Sequence, residues 1–226
     1  MFKPLRISSG SMEAVKWLAL VSMTIDHANR FFFKATLDPA YCFGRLAMPL
    51  FAFILAYNLA QPGVKLSGVY SKVLLRLIIF GFLATPGYIA MRHLEHLLPL
   101  NIMFMLAAAV AIFYHIDEGG AANRFAALFI FLIGGLLVEY DWVGIIFCLT
   151  CWFFCRKPSL LTAFAWFIAY LLLDKINGNH WALLSLLVIY LATKNEVKIP
   201  RIRYLFYIYY PLHLTLFYFL ARIYRI

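Results

Sequence analysis

The chain has 226 residues, 65% of them hydrophobic and 13% charged, with a mean hydropathy of +0.84; a soluble domain carries about 25% charged residues. A single soluble core cannot hide that much apolar surface, and no polar stretch is long enough to fold separately, so one membrane domain over 1–226 is expected. The formal charge of +10 is spread over short loops instead of one patch, which argues for anionic lipid headgroups and against nucleic acid as a partner.

The N-terminal MFKPLRISSG lacks the short apolar run and small-residue cleavage site of a secretory signal, so the first helix is expected to be retained. Apolar runs between polar or Pro/Gly breaks then give nine spans, near 13–34, 44–60, 70–91, 99–116, 122–138, 142–155, 159–174, 180–193 and 204–221. The expected fold is all-α: a polytopic membrane bundle of about nine helices, within a range of eight to ten. Several runs are shorter than the ~20 residues of an ideal span, which implies local thinning, tilt or broken helices.

Basic residues set the orientation. With the N-terminus cytoplasmic, the inner segments hold Lys3, Arg6, Lys65, Lys72, Arg124, Arg156, Lys157, Lys194, Lys198, Arg201 and Arg203. The opposite side holds Lys34, Arg92, Lys175, Arg222 and Arg225. The bias favours an inside N-terminus.

Asp26 and His27 form a titratable pair deep in the first apolar run. Ionisable groups in hydrocarbon are costly, about 2.5–3.5 kcal/mol per charge on insertion scales, and mark functional sites. Lys16 lies eleven residues before His27; eleven steps of about 100° come within about 20° of three full turns, so the two share a face about 16 Å apart along the axis. Arg30 and Lys34 extend that face outward. Other polar residues punctuate later runs. Arg45 opens the second and Asn58 ends it; Lys72 and Arg76 sit at i and i+4 on the inner end of the third. Asn101 starts the fourth, and Tyr210 and His213 sit at i and i+3 in the last. Guanidinium suits bidentate phosphate contact, which makes Arg76 a binding candidate.

Other clusters read as structure. Cys148, Cys151 and Cys155 share a helical face without polar companions and are packing residues. His93, Glu95 and His96 form a solvated loop, and with no HExxH pattern no metal site is expected. Glu139 and Asp141 flank Tyr140 in a tight turn and read as helix terminators. No Gly-rich phosphate loop is present, so any nucleotide must be held by side-chain cations.

The runs VKWLALVSMTIDH, FGRLAMPLFAFILAYNLA, LLRLIIF, LPLNIMFMLAAAVA and YIYYPLHLTLFYF, in this order from about residue 15 to 220, resemble the TraX family of conjugal pilin acetylases. Lys-x10-His with Asp before the His, and Gly-Arg followed by Pro-x-Phe-Ala, are the most specific parts. Tyr-x-x-His-Leu is moderately so. The family is similar to a wider set of transmembrane acyltransferases acting on surface sugars and on heparan glucosaminide.

That resemblance implies acetyl transfer from cytosolic acetyl-CoA, as co-substrate, to an acceptor across a bacterial inner membrane, the N-terminal amine of pilin in the TraX case. It assigns His27 as catalytic imidazole and Lys16 as its inner partner; Arg45 and Arg76 match family arginines, and His213 the late histidine. The chemistry agrees. Lys16, Lys72 and Arg76 are expected to hold the phosphates, with Asn101 and Tyr210 further along the cofactor path. His27 acts as general base or as acetyl acceptor. Asp26 points about 100° away from its neighbour and orients His213 or Arg45, while Arg45 or Asn101 donates to the thioester oxyanion. The alternative is a proton-coupled transporter or flippase using the same buried His, Asp and Arg set, although the halves show no self-similarity.

Overall fold

The computed structural model describes residues 4–202 and 204–224; Lys3, Arg203 and Arg225, which enter the charge bias, lie outside the described residues. Among the described residues the fold is all-helical: α1 (Ser9–Phe33), α2 (Asp38–Gly44), α3 (Ala47–Leu59), α4 (Val69–Arg92), α5 (Ile102–Glu118), α6 (Gly120–Leu137), α7 (Asp141–Arg156), α8 (Leu160–Asn177), α9 (Leu184–Lys194) and α10 (Leu205–Tyr224). No strand is found among these residues, only an isolated bridge between Leu100 and Val138. Each of the nine apolar runs corresponds to one helix. The additions are α2 and two single 3-10 turns at Lys65–Ser67 and Trp181–Leu183.

Local chemistry starts and stops these helices. Ser8 accepts from the Ser11 amide at the N-terminus of α1, Asn101 from Met103 in α5, and Ser159 forms a reciprocal box with Thr162 in α8; each pairing satisfies donors the first turn leaves open. α1 ends where Lys34 turns left-handed, with φ 50°, and returns its amide to the Asn29 carbonyl. Pro86 and Pro211 interrupt the ladders of α4 and α10, as membrane helices tolerate when neighbours re-satisfy the backbone.

Among the described residues, four helical segments are long and apolar enough to cross a membrane: Asp38–Leu59, Val69–Arg92, Gly120–Leu137 and Leu160–Asn177. α1, with Glu13, Lys16, Asp26 and Arg30 along it, is the most polar of the long helices. Outward faces are apolar; Phe82, Phe125, Phe164 and Phe219 are each more than half exposed, a surface that suits hydrocarbon better than water.

Contacts at the helix ends fix the topology. At one end, Ser11 Oγ donates to the Asn195 carbonyl over 2.5 Å, Tyr70 Oη to Asp117 over 2.6 Å, and Arg156 pairs with Asp117. At the other, Tyr41 Oη donates to the Asn177 carbonyl over 2.7 Å, while Leu100 exchanges backbone bonds with Leu137 and Glu139. The chain therefore climbs through α1, α4, α6, α8 and α10 and descends through α3, α5, α7 and α9. α10 packs along α4, and α1 packs against α3 and α10.

Candidate functional site

A cavity of about 490 Å³ runs between α1, α3, α4, α5 and α10. Because α1 and α4 climb side by side, their charged ends coincide. Lys16, Lys72 and Arg76 line one end with Arg201, and Asp26, His27, Arg30 and Arg92 line the other with Glu139, Tyr140 and Tyr210. Sixteen residues of α4 separate Arg76 from Arg92, about 24 Å of helix. Apolar side chains, among them Met23, Met48, Ile54, Leu77 and Leu106, form the wall between the two ends.

The four cations at the first end are not equivalent. Lys16 is ion-paired with the buried Glu13 and lies 5.5 Å from the centre of the Phe206 ring. Arg76 stacks 5.0 Å over Tyr204, with Nη2 3.5 Å from its hydroxyl. With Lys16 neutralised, the excess positive charge belongs to Lys72, Arg76 and Arg201.

Toward the far end, His27 Nδ1 lies 2.7 Å from His213 Nε2, with the two rings within 3° of parallel. His213 Nδ1 lies 2.8 Å from the Tyr209 carbonyl. A carbonyl oxygen only accepts, so His213 Nδ1 carries a hydrogen. In the neutral pair His213 Nε2 is then an acceptor and His27 Nδ1–H its donor, which leaves Nε2 as the lone-pair nitrogen of His27. Tyr210 lies beside both rings, 6.2 Å from His27 and 5.8 Å from His213 between ring centres.

Asp26 anchors the turn that follows α1. Its Oδ1 is 2.7 Å from Arg45 Nη2 and its Oδ2 is 3.1 Å from Arg30 Nε. Arg45, only 7% exposed, donates also to the Tyr41 carbonyl and to Asn177 Oδ1, and its guanidinium lies 4.2 Å from the centre of the Tyr41 ring. The close approach needs Gly44, where an added Cβ would stand 2.4 Å from the Asp26 Cβ. The Gly-Arg pair and the Asp-His pair are two halves of one contact.

The sequence model of the TraX protein family matches residues 11–221. The chain belongs to the TraX family. No curated protein matches it, and no solved structure does.

The site residues expected from the sequence divide by position. Lys16, His27, Asp26, Lys72, Arg76 and Tyr210 line the cavity. His213 stands behind His27 and reaches the cavity through it. Arg45 and Asn101, expected as oxyanion donors, are off the cavity wall. Arg45 spends its donors on Asp26, Tyr41 and Asn177. Asn101, fully buried, caps α5 and donates to the Gly81 carbonyl and Thr85 Oγ1. Asp26 bonds Arg45 and Arg30; His213 is held instead by Tyr209 and His27. Residues not expected at the site also line the cavity, among them Arg92, Arg201, Glu139 and Tyr140. The last two sit in the α6–α7 turn, where Tyr140 and Asp141 have φ of 65° and 49°, a left-handed backbone costly for side chains with a Cβ. The signal in the sequence was an acid and an aromatic between two apolar runs.

Proposed function

We propose that this protein is an acetyl-CoA-dependent acetyltransferase of a bacterial cytoplasmic membrane. It is one transmembrane domain of nine spans with a cytoplasmic N-terminus, and it passes an acetyl group to an amine on the far side, the pilin N-terminus by resemblance to TraX. The observation that carries this reading is one cavity that holds excess cationic charge at one end and an imidazole lone pair toward the other.

The cationic end fits a polyphosphate. Lys72, Arg76 and Arg201 hold the phosphates of CoA by charge-assisted hydrogen bonds, and the apolar wall accommodates the thin pantetheine arm. His27 Nε2 takes a proton from the acceptor nitrogen as it attacks the thioester carbon, then returns it to the departing thiolate. His213 keeps His27 in the required tautomer. Tyr210, beside the imidazole, supplies a hydroxyl for the thioester oxygen in the role foreseen for Arg45 or Asn101.

The test is CoA-dependent thermal stabilisation of purified protein, combined with radiolabelled acetyl transfer. CoA stabilises wild type and His27→Ala alike, by about 2.7 kcal/mol at a hundredfold excess over Kd, and Lys72→Ala/Arg76→Ala loses the effect. Lys16→Ala weakens CoA less than Arg76→Ala, because Glu13 already neutralises that ammonium. Wild type that CoA fails to stabilise overturns the reading and favours an ion-coupled carrier.

A further inference from the structure

We propose that Glu139 is a second catalytic base, receiving the proton that an acceptor ammonium must shed before it can attack. The proposal rests on the acetyl-transfer reading and concerns how protons leave the site. An α-amine, with a pKa of about 7.7–8.0, arrives near neutral pH mostly as the ammonium. Conversion to an amide removes two protons from that nitrogen. One ends on the thiolate as the CoA thiol, and the other has to go elsewhere.

His27 can hold only one of them at a time, because its Nδ1–H is given to His213 and only Nε2 is open. Two carboxylates line the cavity, Asp26 and Glu139. Asp26 is held by Arg45 and Arg30, so both of its oxygens are already engaged. Glu139, among the described residues, has no ion pair within 4 Å. It enters the cavity from the α6–α7 turn, whose backbone is pinned by the Glu139 amide donating to the Leu100 carbonyl over 2.8 Å, and followed by the left-handed Tyr140 and Asp141.

The charges around Glu139 come from every neighbouring element: Arg92 on α4, Asp26 and Arg30 on α1, and Arg45 after α2. Tyr88, Tyr140 and Tyr210 add hydroxyls nearby. Burial lifts the Glu139 carboxyl above the usual carboxylate range against the opposing pull of Arg92, which brings its basicity nearer to that of an amine.

The steps balance. Glu139 takes one proton from the ammonium and leaves a neutral amine. The nitrogen lone pair forms the C–N bond while His27 Nε2 takes the second proton. The C–S bond breaks with its electron pair going to sulfur, His27 protonates the thiolate, and Glu139 releases its proton to solvent. A hydroxyl acceptor, with one proton to lose, would need only His27.

The test uses full-length protein, acetyl-CoA and a peptide amide with a free α-amine, with product read by mass spectrometry from about pH 6 to 9.5. Glu139→Gln should cut transfer at least about tenfold at the acid end, a floor set below the roughly 10²–10⁴-fold typical of a positioned general base. The deficit should close as the pH passes that of the free amine. Glu139→Asp should retain part of the acid-limb rate, and CoA stabilisation of both variants reports folding. A Glu139→Gln profile parallel to wild type, whether equal or uniformly lower, overturns the role. Wild type that transfers nothing at any pH overturns the acetyl-transfer reading itself.

Discussion

His27 and His213 hold a hydrogen bond that decides which nitrogen of His27 is basic. Replacing His27 by Ala should lower acetyl transfer by about 10²–10⁴-fold, the range for a positioned general base, without loss of CoA stabilisation. Replacing His213 by Leu removes the acceptor for His27 Nδ1–H and should cost about 10–100-fold, the scale on which losing an orienting partner affects a metal-bound imidazole. His213→Gln, whose carbonyl oxygen can accept that hydrogen, should recover part of the loss. Rates measured at saturating acetyl-CoA check this; equal rates for the Leu and Gln variants would remove the tautomer role. The pairing of a first-run histidine with a last-run histidine was legible only as two separate candidates, because nothing in sequence spacing says which helices become neighbours. Glu13, by contrast, sits three residues before Lys16 on the same helix, a spacing that local sequence does carry, and it went unread as the partner of that ammonium. Helical spacing did put Lys16 and His27 on one face, and both line the cavity.

At the level of elements, the contact between α1 and the α2–α3 corner is tightly constrained, with an added Cβ at Gly44 2.4 Å from the Asp26 Cβ. Gly44→Ala would press a methyl against Asp26, and overpacking of this kind costs about 1–3 kcal/mol. Gly134→Ala, on α6, places its Cβ in ordinary contact at 3.4 Å from Ala108 and should be neutral or slightly stabilising, since Ala is the better helix former by about 0.5–1 kcal/mol. Thermal melts of the two detergent-purified variants should therefore shift in opposite directions or only for Gly44→Ala; equal shifts would contradict the close-packing argument. Arg45→Ala should be worse than either, because a buried pair that loses one partner costs about 3–5 kcal/mol, and Arg45→Lys should rescue little, since one ammonium cannot bond Asp26, Tyr41 and Asn177 as the planar guanidinium does. Apolar runs made the helices legible, since their length and spacing depend on local composition. The α6–α7 turn was legible as a tight turn but its shape was not, because the backbone puts Tyr140 and Asp141 in a left-handed conformation usually reserved for glycine, and a turn of that shape carries Glu139 into the cavity.

Across the whole molecule, alternating helix directions gather the basic residues. Arg6, Lys65, Lys72, Arg124, Arg156, Lys157, Lys194, Lys198 and Arg201 fall at the end where α1 and α4 begin, against Lys34, Arg92, Lys175 and Arg222 at the other. A positive-inside reading of that asymmetry makes the Lys72–Arg76 end cytoplasmic, where acetyl-CoA is available, and turns the Glu139 end outward. His27 is about 16 Å of helix beyond Lys16, roughly half the ~30 Å hydrocarbon core, a depth that on the proposed reading lets donor and acceptor enter from opposite faces and meet there. In sealed vesicles of known orientation, acetyl-CoA outside the cytoplasmic face and a membrane-impermeant amine on the other should yield product, and the yield should fall with salt as wet phosphate contacts are screened. Reversing the two reagents should yield none. Product formed only when both reagents share one side would overturn the transmembrane arrangement while leaving acetylation intact. Inversion of the vesicles with retained activity would instead show that the basic end faces outward, and the cation count would then have been reporting lipid contact instead of the donor entrance.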